Sequence, residues 1–119
     1  MIDVLVVEDD ANLRRLALFA LRLDPGLAPR VCETGAEALA AIATKAPDLV
    51  LLDLGLPDLD GHVVAARIAE LAPDVAIVFF TGEEHPRTDG ARGVIRKPFD
   101  PMTLAGEVRR LLTAPGAAP

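Results

Sequence analysis

Acidic side chains stand directly after two separate apolar runs of the sequence. Glu8, Asp9 and Asp10 follow the first run, and Asp53 ends a later one. Carboxylates held within several Å of one another near a protein surface repel by about a few kcal/mol per close pair. A hard divalent cation relieves that repulsion, and an all-oxygen site with few protein ligands suits Mg²⁺. These acids therefore predict a magnesium site, provided that the fold brings them together.

Two further groups follow later apolar runs and fit the same chemistry. Thr81 ends one of these runs, and Lys97 comes shortly after another. A cation, a lysine and a hydroxyl placed around one carboxylate can neutralise a phosphoryl group during its transfer. Aspartate carboxylates accept phosphoryl groups as acyl phosphates, so Asp53 is the candidate nucleophile. Gly55, two residues later, leaves room for close approach.

Four largely apolar runs and one short strand candidate, at residues 30–33, predict the five strands that must position these groups. They lie at residues 2–7, 30–33, 49–52, 75–80 and 93–95. The third run has no polar side chain and is bounded by turn residues, which is typical of a strand buried on both faces of a parallel sheet. Asp53 is thus expected at the carboxyl end of a buried strand, the edge at which open α/β sheets bind ligands.

Helical spacing of apolar residues predicts a helix after most of these strands. The first is expected at about 11–22, the second from a capping box at 34–37, the third after Gly61, and the last after an Asp100 N-cap with Pro101 at its first position. The apolar stripe of the first helix comprises Leu13, Leu16, Ala17, Ala20 and Leu21.

Alternation of strands and helices indicates βαβ units with right-handed crossovers. We predict an α/β, flavodoxin-like fold: a doubly wound, five-stranded parallel sheet with strand order 2-1-3-4-5. Its switch point lies between strands 1 and 3, the strands that end in Glu8, Asp9 and Asp10 and in Asp53. Strand 4 ends at Thr81 and Lys97 follows strand 5, so all of these groups should meet at one edge.

Composition limits the class of protein and its partners. The 119 residues fit one domain, which we place at 1–113, with a flexible tail at 114–119. A net charge of −6 argues against nucleic acid and against an anionic membrane surface as partners. Cys32 is the only cysteine and is expected to be buried on a strand. With neither a signal peptide nor a long apolar run in the sequence, a cytoplasmic location is expected.

Four motifs, in order and on predicted strand ends, resemble the receiver domain of two-component response regulators over essentially the whole chain. Each motif alone is weak, but the ordered set is highly specific. The motifs are Val6-Val7-Glu8-Asp9-Asp10, Leu51-Leu52-Asp53-Leu54 with Leu56-Pro57 and Asp60-Gly61, Phe80-Thr81-Gly82, and Lys97-Pro98-Phe99.

The resemblance implies that Asp53 accepts a phosphoryl group from a phosphohistidine on a sensor histidine kinase or a histidine phosphotransfer protein. Thr81 would bind a phosphoryl oxygen and report occupancy, and Lys97 would pair with the phosphoryl group. Phosphorylation would alter a surface that binds a downstream protein target. The protein would not be an enzyme beyond self-catalysed phosphotransfer and slow autodephosphorylation. The Lys97–Pro98 bond is often cis in this family.

The resemblance also implies a ligand set for Mg²⁺. Asp9 would coordinate the ion directly and Glu8 would act through water. Asp53 and the backbone carbonyl of Gly55 would complete the protein ligands. Glu83, two residues after Thr81, occupies a position that lies beside the phosphoryl group in the family and tunes its hydrolysis.

Two features depart from the family pattern. Sixteen positions separate Thr81 from Lys97, fewer than is usual, and residues 83–92 carry almost no apolar side chain. We predict that the fourth helix of the family, between strands 4 and 5, is shortened or absent, because a helix with nothing to bury is not stable alone. Val94 stands where the family places a Tyr or Phe that turns inward on activation, so the output face must be built differently.

Three other functions fit the sequence less well. A receiver that binds partners without phosphorylation is disfavoured by the intact set of acids, Thr81 and Lys97. An aspartyl phosphatase usually has a second Asp two residues after its nucleophile, where this chain has Gly55. A flavodoxin-like cofactor binder needs a phosphate-binding Gly-rich loop after strand 1, where three acids would repel phosphate. Whether the chain is a single-domain regulator or part of a longer protein stays open.

The remaining polar residues are assigned structural roles. Asp10 is expected to cap the first helix, and Val94 to be part of the core. The residues expected to face solvent, in turns or on helix surfaces, are Asp48, Asp58, His62, His85, Arg14, Arg15 and Arg22.

Overall fold

A five-stranded parallel sheet with strand order β2-β1-β3-β4-β5 forms the centre of the computed structural model, in which residues 1–113 are described. The predicted tail at 114–119 lies outside the described residues. The elements are β1 (Ile2–Val7), α1 (Ala11–Arg22), β2 (Leu27–Cys32), α2 (Gly35–Thr44), β3 (Leu49–Asp53), α3 (Gly61–Leu71), β4 (Ala76–Thr81), β5 (Gly93–Arg96) and α4 (Leu104–Thr113). The α/β class and the strand order are confirmed.

Two hydrophobic layers cover the sheet, one on each face. On the first face α1 and α4 pack on alternate strand residues, among them Val6, Leu51 and Phe80. On the second face α2 and α3 pack on the intervening residues, among them Leu52 and Phe79. Every residue of β3 and β4 is buried, as the continuous apolar runs predict for central parallel strands. The rigid sheet therefore fixes where the strand ends lie.

Two elements begin three residues away from their predicted starts. β2 begins at Leu27, three residues earlier than expected, and includes Pro29. The proline is tolerated because β2 is an edge strand of the sheet. Helix α4 begins at Leu104 rather than at Pro101. Asp100 nevertheless caps the preceding turn, since its carboxylate accepts a hydrogen bond from the Met102 amide at 2.9 Å.

The apolar stripe of α1 is narrower than the periodicity predicts. Ala17, Ala20 and Leu21 are buried against the sheet. Leu16, which the spacing places on the same stripe, is 39% exposed. The buried stripe of α1 therefore contains fewer residues than the helical spacing predicts.

The segment between β4 and β5, residues 82–92, contains no helix, which confirms the prediction. Its end is fixed by the Arg92 amide, which donates to the carbonyl of Ile77 at 2.7 Å. Gly90 adopts φ +80°, a conformation that favours glycine. Ala91 is buried in the second hydrophobic layer and Val94 packs against that layer, as expected for a core residue.

Candidate functional site

The predicted site residues meet at the carboxyl edge of the sheet. The register pairs Asp53 with Phe80, so Asp53 lies beside the end of β4, where Thr81 follows. Thr81 in turn pairs with Arg96, the residue before Lys97. The end of β1 lies next to β3 and brings in Glu8. The fold thus assembles side chains that lie far apart in the sequence.

Asp53 is the buried carboxylate at the centre of this edge and is 5% exposed. Its Oδ1 accepts hydrogen bonds from the Gly55 amide at 3.0 Å and from Lys97 Nζ at 3.2 Å. Charge-assisted hydrogen bonds of this kind compensate the cost of burying an ionised group. Asp53 is therefore held in place, with a cation beside its carboxylate.

Glu8 is almost completely buried, at 1% exposure. Its carboxylate accepts from Lys97 Nζ at 2.9 Å and from the Asp10 amide at 3.0 Å. Burial raises the pKa of Glu8 above its usual value, and the nearby charge of Asp53 acts in the same direction, although the contacts with Lys97 and Asp10 oppose the shift. A cation at this edge would favour the ionised form.

Lys97 carries the positive charge of the site. Burial alone would lower the pKa of its ammonium, but the contacts with Glu8 and Asp53 outweigh burial and raise the pKa above its usual value. Its Nζ also lies 5.2 Å from the ring centroid of Phe80. The peptide bond that follows, Lys97–Pro98, is cis, as the resemblance led us to expect.

Glu8, Asp9 and Asp53 can each offer a carboxylate oxygen to one point, and these atoms lie within 4.8 Å of one another. Burial would raise the pKa of Asp9, but hydrogen bonding to Asp53 and Glu8 outweighs it and lowers that pKa. Asp9 is exposed at the rim, whereas the other two acids are buried. This all-oxygen set with one side open to water fits Mg²⁺, which keeps several of its waters.

Thr81 is buried, with both of its oxygens engaged. Its hydroxyl oxygen accepts from the Glu83 amide at 3.0 Å, and its carbonyl accepts from the Lys97 amide at 2.9 Å. Asp10, by contrast, points away from the acids and caps α1, since it accepts from the amides of Asn12 and Leu13. The expected capping role of Asp10 is confirmed.

Arg14 lies beside the candidate site, which the sequence analysis did not predict, and its assignment to a solvated face is wrong. Its side chain is only 16% exposed, and Nη1 donates to the carbonyl of Glu8 at 3.0 Å and to that of Asp9 at 3.3 Å. Its Nη2 lies 3.2 Å from Glu33. Helical side chains lean toward the helix N-terminus, and this direction was the available signal.

Asp58 is an exposed residue of the loop after β3, as predicted, and it also contacts the next layer of the fold. Its carboxylate accepts from the amides of Gly35 at 2.9 Å and Ala36 at 3.0 Å, at the start of α2. The Ala36 amide, and then the Gly35 amide, lower the pKa of Asp58. The loop after Asp53 is thereby tied to α2.

His62 is neither isolated nor fully exposed, contrary to the prediction. Its side chain is 21% exposed, and its ring meets Phe79 edge-on at 5.2 Å between centroids. Nε2 lies 3.1 Å from the carbonyl of Arg87, and Nδ1 lies 3.2 Å from Asp60. His62 therefore holds part of the segment that replaces a helix.

Comparison with known proteins gives the family. Within residues 1–113, no helix is both long enough and apolar enough to cross a bilayer. A sequence model of the family described as "Response regulator receiver domain" matches residues 4–109. The response regulator receiver protein CpdR of Brucella abortus is 32% identical over 117 residues, which cover 93% of this chain and 97% of CpdR.

Longer proteins and solved structures match as well. The DNA-binding response regulator MtrA of Mycobacterium tuberculosis is 36% identical over 92% of this chain, which spans only 50% of MtrA. The receiver domain of NtrX from Brucella abortus superposes with a TM-score of 0.83 at 34% identity, over 94% of this chain and 100% of that domain. The chemotaxis response regulator CheY4 of Vibrio cholerae gives a TM-score of 0.84 at 27% identity, over 93% and 98%. The chain belongs to the response regulator receiver domains of two-component systems.

Proposed function

We propose that this receiver accepts a phosphoryl group on Asp53 from a phosphohistidine of a sensor histidine kinase or a histidine phosphotransfer protein. The modified domain then presents a changed surface to a downstream protein. The protein is not an enzyme acting on other substrates, and its own chemistry is limited to phosphotransfer and slow autodephosphorylation. A cytoplasmic location is part of this proposal.

One observation carries the proposal: Lys97 Nζ contacts both Glu8 at 2.9 Å and Asp53 at 3.2 Å. A lysine that bridges a candidate nucleophile and a candidate metal ligand is placed to follow the negative charge as that charge moves to a phosphoryl group. The ammonium is compact and sits on a flexible stem, so it can move from a carboxylate to a phosphoryl oxygen without any change in the backbone.

The reaction follows from these positions. An Asp53 carboxylate oxygen attacks phosphorus, the P–N bond to the donor imidazole breaks, and its electron pair returns to nitrogen. Lys97 pairs with one phosphoryl oxygen, and the Thr81 hydroxyl donates to another. Glu8, Asp9, Asp53 and the Gly55 carbonyl would hold Mg²⁺, which when bound supplies positive charge against the phosphoryl oxygens.

Loss of the phosphoryl group uses the same edge of the sheet. Water attacks phosphorus, the bond between phosphorus and the Asp53 oxygen breaks, and inorganic phosphate is released while Asp53 regains its carboxylate. Glu83 is exposed, and its own amide donates to the Thr81 hydroxyl oxygen. This position next to Thr81 suits a role in controlling the approach of that water. Glu83 is thus proposed to set the lifetime of the phosphorylated form.

Intact mass spectrometry tests the proposal. The protein is incubated with Mg²⁺ and acetyl phosphate beside Asp53→Asn, a metal-free sample, and Asp74→Asn, which changes an exposed acid after α3. We expect one added phosphoryl group in the native protein and in Asp74→Asn, and none in the other two samples. No adduct in the native protein, together with no binding of beryllofluoride, would replace the proposal with a phosphorylation-independent binding module.

A further inference from the structure

Residues 82–92, which we call the β4–β5 segment, run without a helix, so helical hydrogen bonds do not satisfy their carbonyls. Side chains of neighbouring elements bind several of these carbonyls instead. His62 of α3 contacts the carbonyl of Arg87. Arg96 of β5 binds the segment at its other end, close to Thr81.

The Arg96 guanidinium donates to two successive carbonyls of this segment. Nη1 donates to the carbonyl of Glu83, and Nη2 donates to the carbonyl of Glu84. The planar fork of arginine matches a pair of acceptors that a lysine ammonium cannot hold in the same way. Two adjacent peptide groups are thereby fixed to β5.

Glu83 is held at both ends of its backbone. Its amide donates to the Thr81 hydroxyl oxygen at 3.0 Å, and its carbonyl accepts from Arg96. The Thr81 carbonyl accepts from the amide of Lys97, the next residue after Arg96. These contacts form a closed path from the Thr81 hydroxyl through Glu83 to β5.

We propose that Arg96 is a positioning residue that ties residues 83 and 84 to β5 and passes movement of the Thr81 hydroxyl to that strand. The anchoring part rests on the contacts above, and the transmission part rests on the proposed function. Arg96 touches none of the reacting atoms, so it acts through Thr81 and Glu83.

The physical basis of this transmission is movement of the Thr81 hydroxyl. When this hydroxyl donates to a phosphoryl oxygen on Asp53, it turns or shifts toward that oxygen. The Glu83 amide must follow its acceptor or lose it. Because Arg96 fixes the Glu83 carbonyl, the displacement reaches β5 instead of being absorbed by a free loop. Val94 lies two residues before Arg96 on the same face of β5 and cannot act as the aromatic switch of other receivers.

Amide hydrogen exchange, followed by NMR on ¹⁵N-labelled protein, tests the anchoring part without any phosphodonor. In Arg96→Ala we expect the Glu83 amide to exchange about tenfold faster, as loss of two charge-assisted hydrogen bonds implies. Arg96→Lys should be intermediate, because the charge remains but the fork is lost. The Ala91 amide, which is bonded to Thr88 at the other end of the segment, should be unchanged.

The matched control is Arg67→Ala, which removes an exposed arginine from α3. It should leave Glu83 exchange at the native rate, and thermal unfolding should show that all variants are folded. An unchanged rate in Arg96→Ala would overturn the anchoring part. If the Glu83 amide exchanged at the native rate in Arg96→Lys, the paired hydrogen bonds of the guanidinium would not be needed for anchoring.

Beryllofluoride with Mg²⁺ tests the transmission part through the methyl resonances of Val94. We expect these resonances to shift in the native protein and to lose most of that shift in Arg96→Ala, while the Thr81 amide still responds in both. Equal Val94 shifts in both proteins would overturn transmission through Arg96. No response of the native protein would contradict the proposed function and transmission with it, while the exchange rates would still decide whether Arg96 anchors the segment.

Discussion

The ammonium of Lys97 lies 2.9 Å from the carboxylate of Glu8, although 89 positions of sequence separate the two residues. Glu8 is one of the three acids whose oxygens could hold a metal ion. Lys97 therefore supplies, from within the protein, part of the positive charge that a divalent cation would bring to the same carboxylates.

Replacement of this lysine should strengthen metal binding while it weakens phosphorylation. In Lys97→Met we expect Mg²⁺ affinity to rise by about tenfold, since the repulsion between ammonium and metal is removed. Phosphorylation by acetyl phosphate should become about 10²-fold slower or more, because a preorganised donor to the phosphoryl group is lost. Isothermal titration calorimetry measures the first effect and intact mass against time the second.

The other lysine of the chain provides the control. Lys45 lies 3.6 Å from Asp3, near the opposite end of the sheet. Lys45→Met removes the same charge and should change neither the Mg²⁺ affinity nor the rate of phosphorylation. Weaker Mg²⁺ binding in Lys97→Met would show that the lysine supports the metal site rather than competing with it.

Gly61 is expected to be essential for packing beside Asp53. A Cβ at this position would lie 2.6 Å from the Cα of Leu54 and 2.8 Å from the carbonyl oxygen of Asp53. Both are backbone atoms, so relief requires movement of the loop that follows Asp53. Gly61→Ala should lower the free energy of unfolding by about 1–3 kcal/mol, as measured by urea denaturation.

Gly106 offers the matched control in α4. A Cβ there would meet no atom within 4 Å. Gly106→Ala should raise the free energy of unfolding by about 0.5–1 kcal/mol, because alanine loses less entropy in a helix. If Gly61→Ala were equally stabilising, the close approach of α3 to the end of β3 would be wrong.

The sheet and the positions of its chemical groups could be predicted because they depend on local patterns. The uninterrupted run before Asp53 specifies a buried strand, and Asp53 is where that run stops. The contacts of Asp58 with the start of α2 and of His62 with the Arg87 carbonyl could not be predicted, because these partners are backbone groups of other segments. Such contacts depend on how loops approach helices, and side-chain type and spacing do not encode that approach.

Leu16 shows a further limit of periodicity. Its spacing places it on the apolar stripe of α1, but whether a stripe residue is covered depends on the width of the surface below the helix. That surface is formed by β2, β1 and α4, whose lateral positions follow from the whole fold. Hydrophobic patterning therefore predicts which face turns inward better than it predicts which residues at its margin are buried.

The ion pair between Asp24 and Arg109, which joins the end of α1 to α4, should stabilise the fold in a pH-dependent way. Arg109 and the Gly26 amide lower the pKa of Asp24 from 3.8 to about 2. A carboxyl whose folded pKa is depressed contributes stability above its unfolded pKa and loses it as the pH falls through the folded value.

Asp24→Asn should therefore be less stable than the native protein above about pH 4, and the difference should shrink toward pH 2, following the shift in pKa. Urea denaturation of both proteins across this range measures the difference. Asn keeps an oxygen for the Gly26 amide, so the comparison isolates the ion pair. A difference that stays constant down to pH 2 would contradict the assignment to Asp24.

Neighbouring acids after β1 should differ sharply in their effect on metal binding. Asp9 shares a potential site with Glu8 and Asp53, whereas Asp10 is turned away to cap α1. Asp9→Asn and Asp10→Asn remove the same charge from adjacent positions. Asn also keeps an oxygen that can cap the helix.

We therefore expect Asp9→Asn to weaken Mg²⁺ binding by about tenfold or more, as loss of a charged ligand implies, and Asp10→Asn to change it by about twofold at most. Calorimetric titration at moderate ionic strength measures both affinities while long-range effects of charge are screened. Equal losses in the two variants would mean that these acids act through their overall charge. A loss confined to Asp9→Asn would mean that Mg²⁺ affinity depends on the direction in which each carboxylate points. The first turn of α1 sets that direction, because it holds the side chain of Asp10 as its cap.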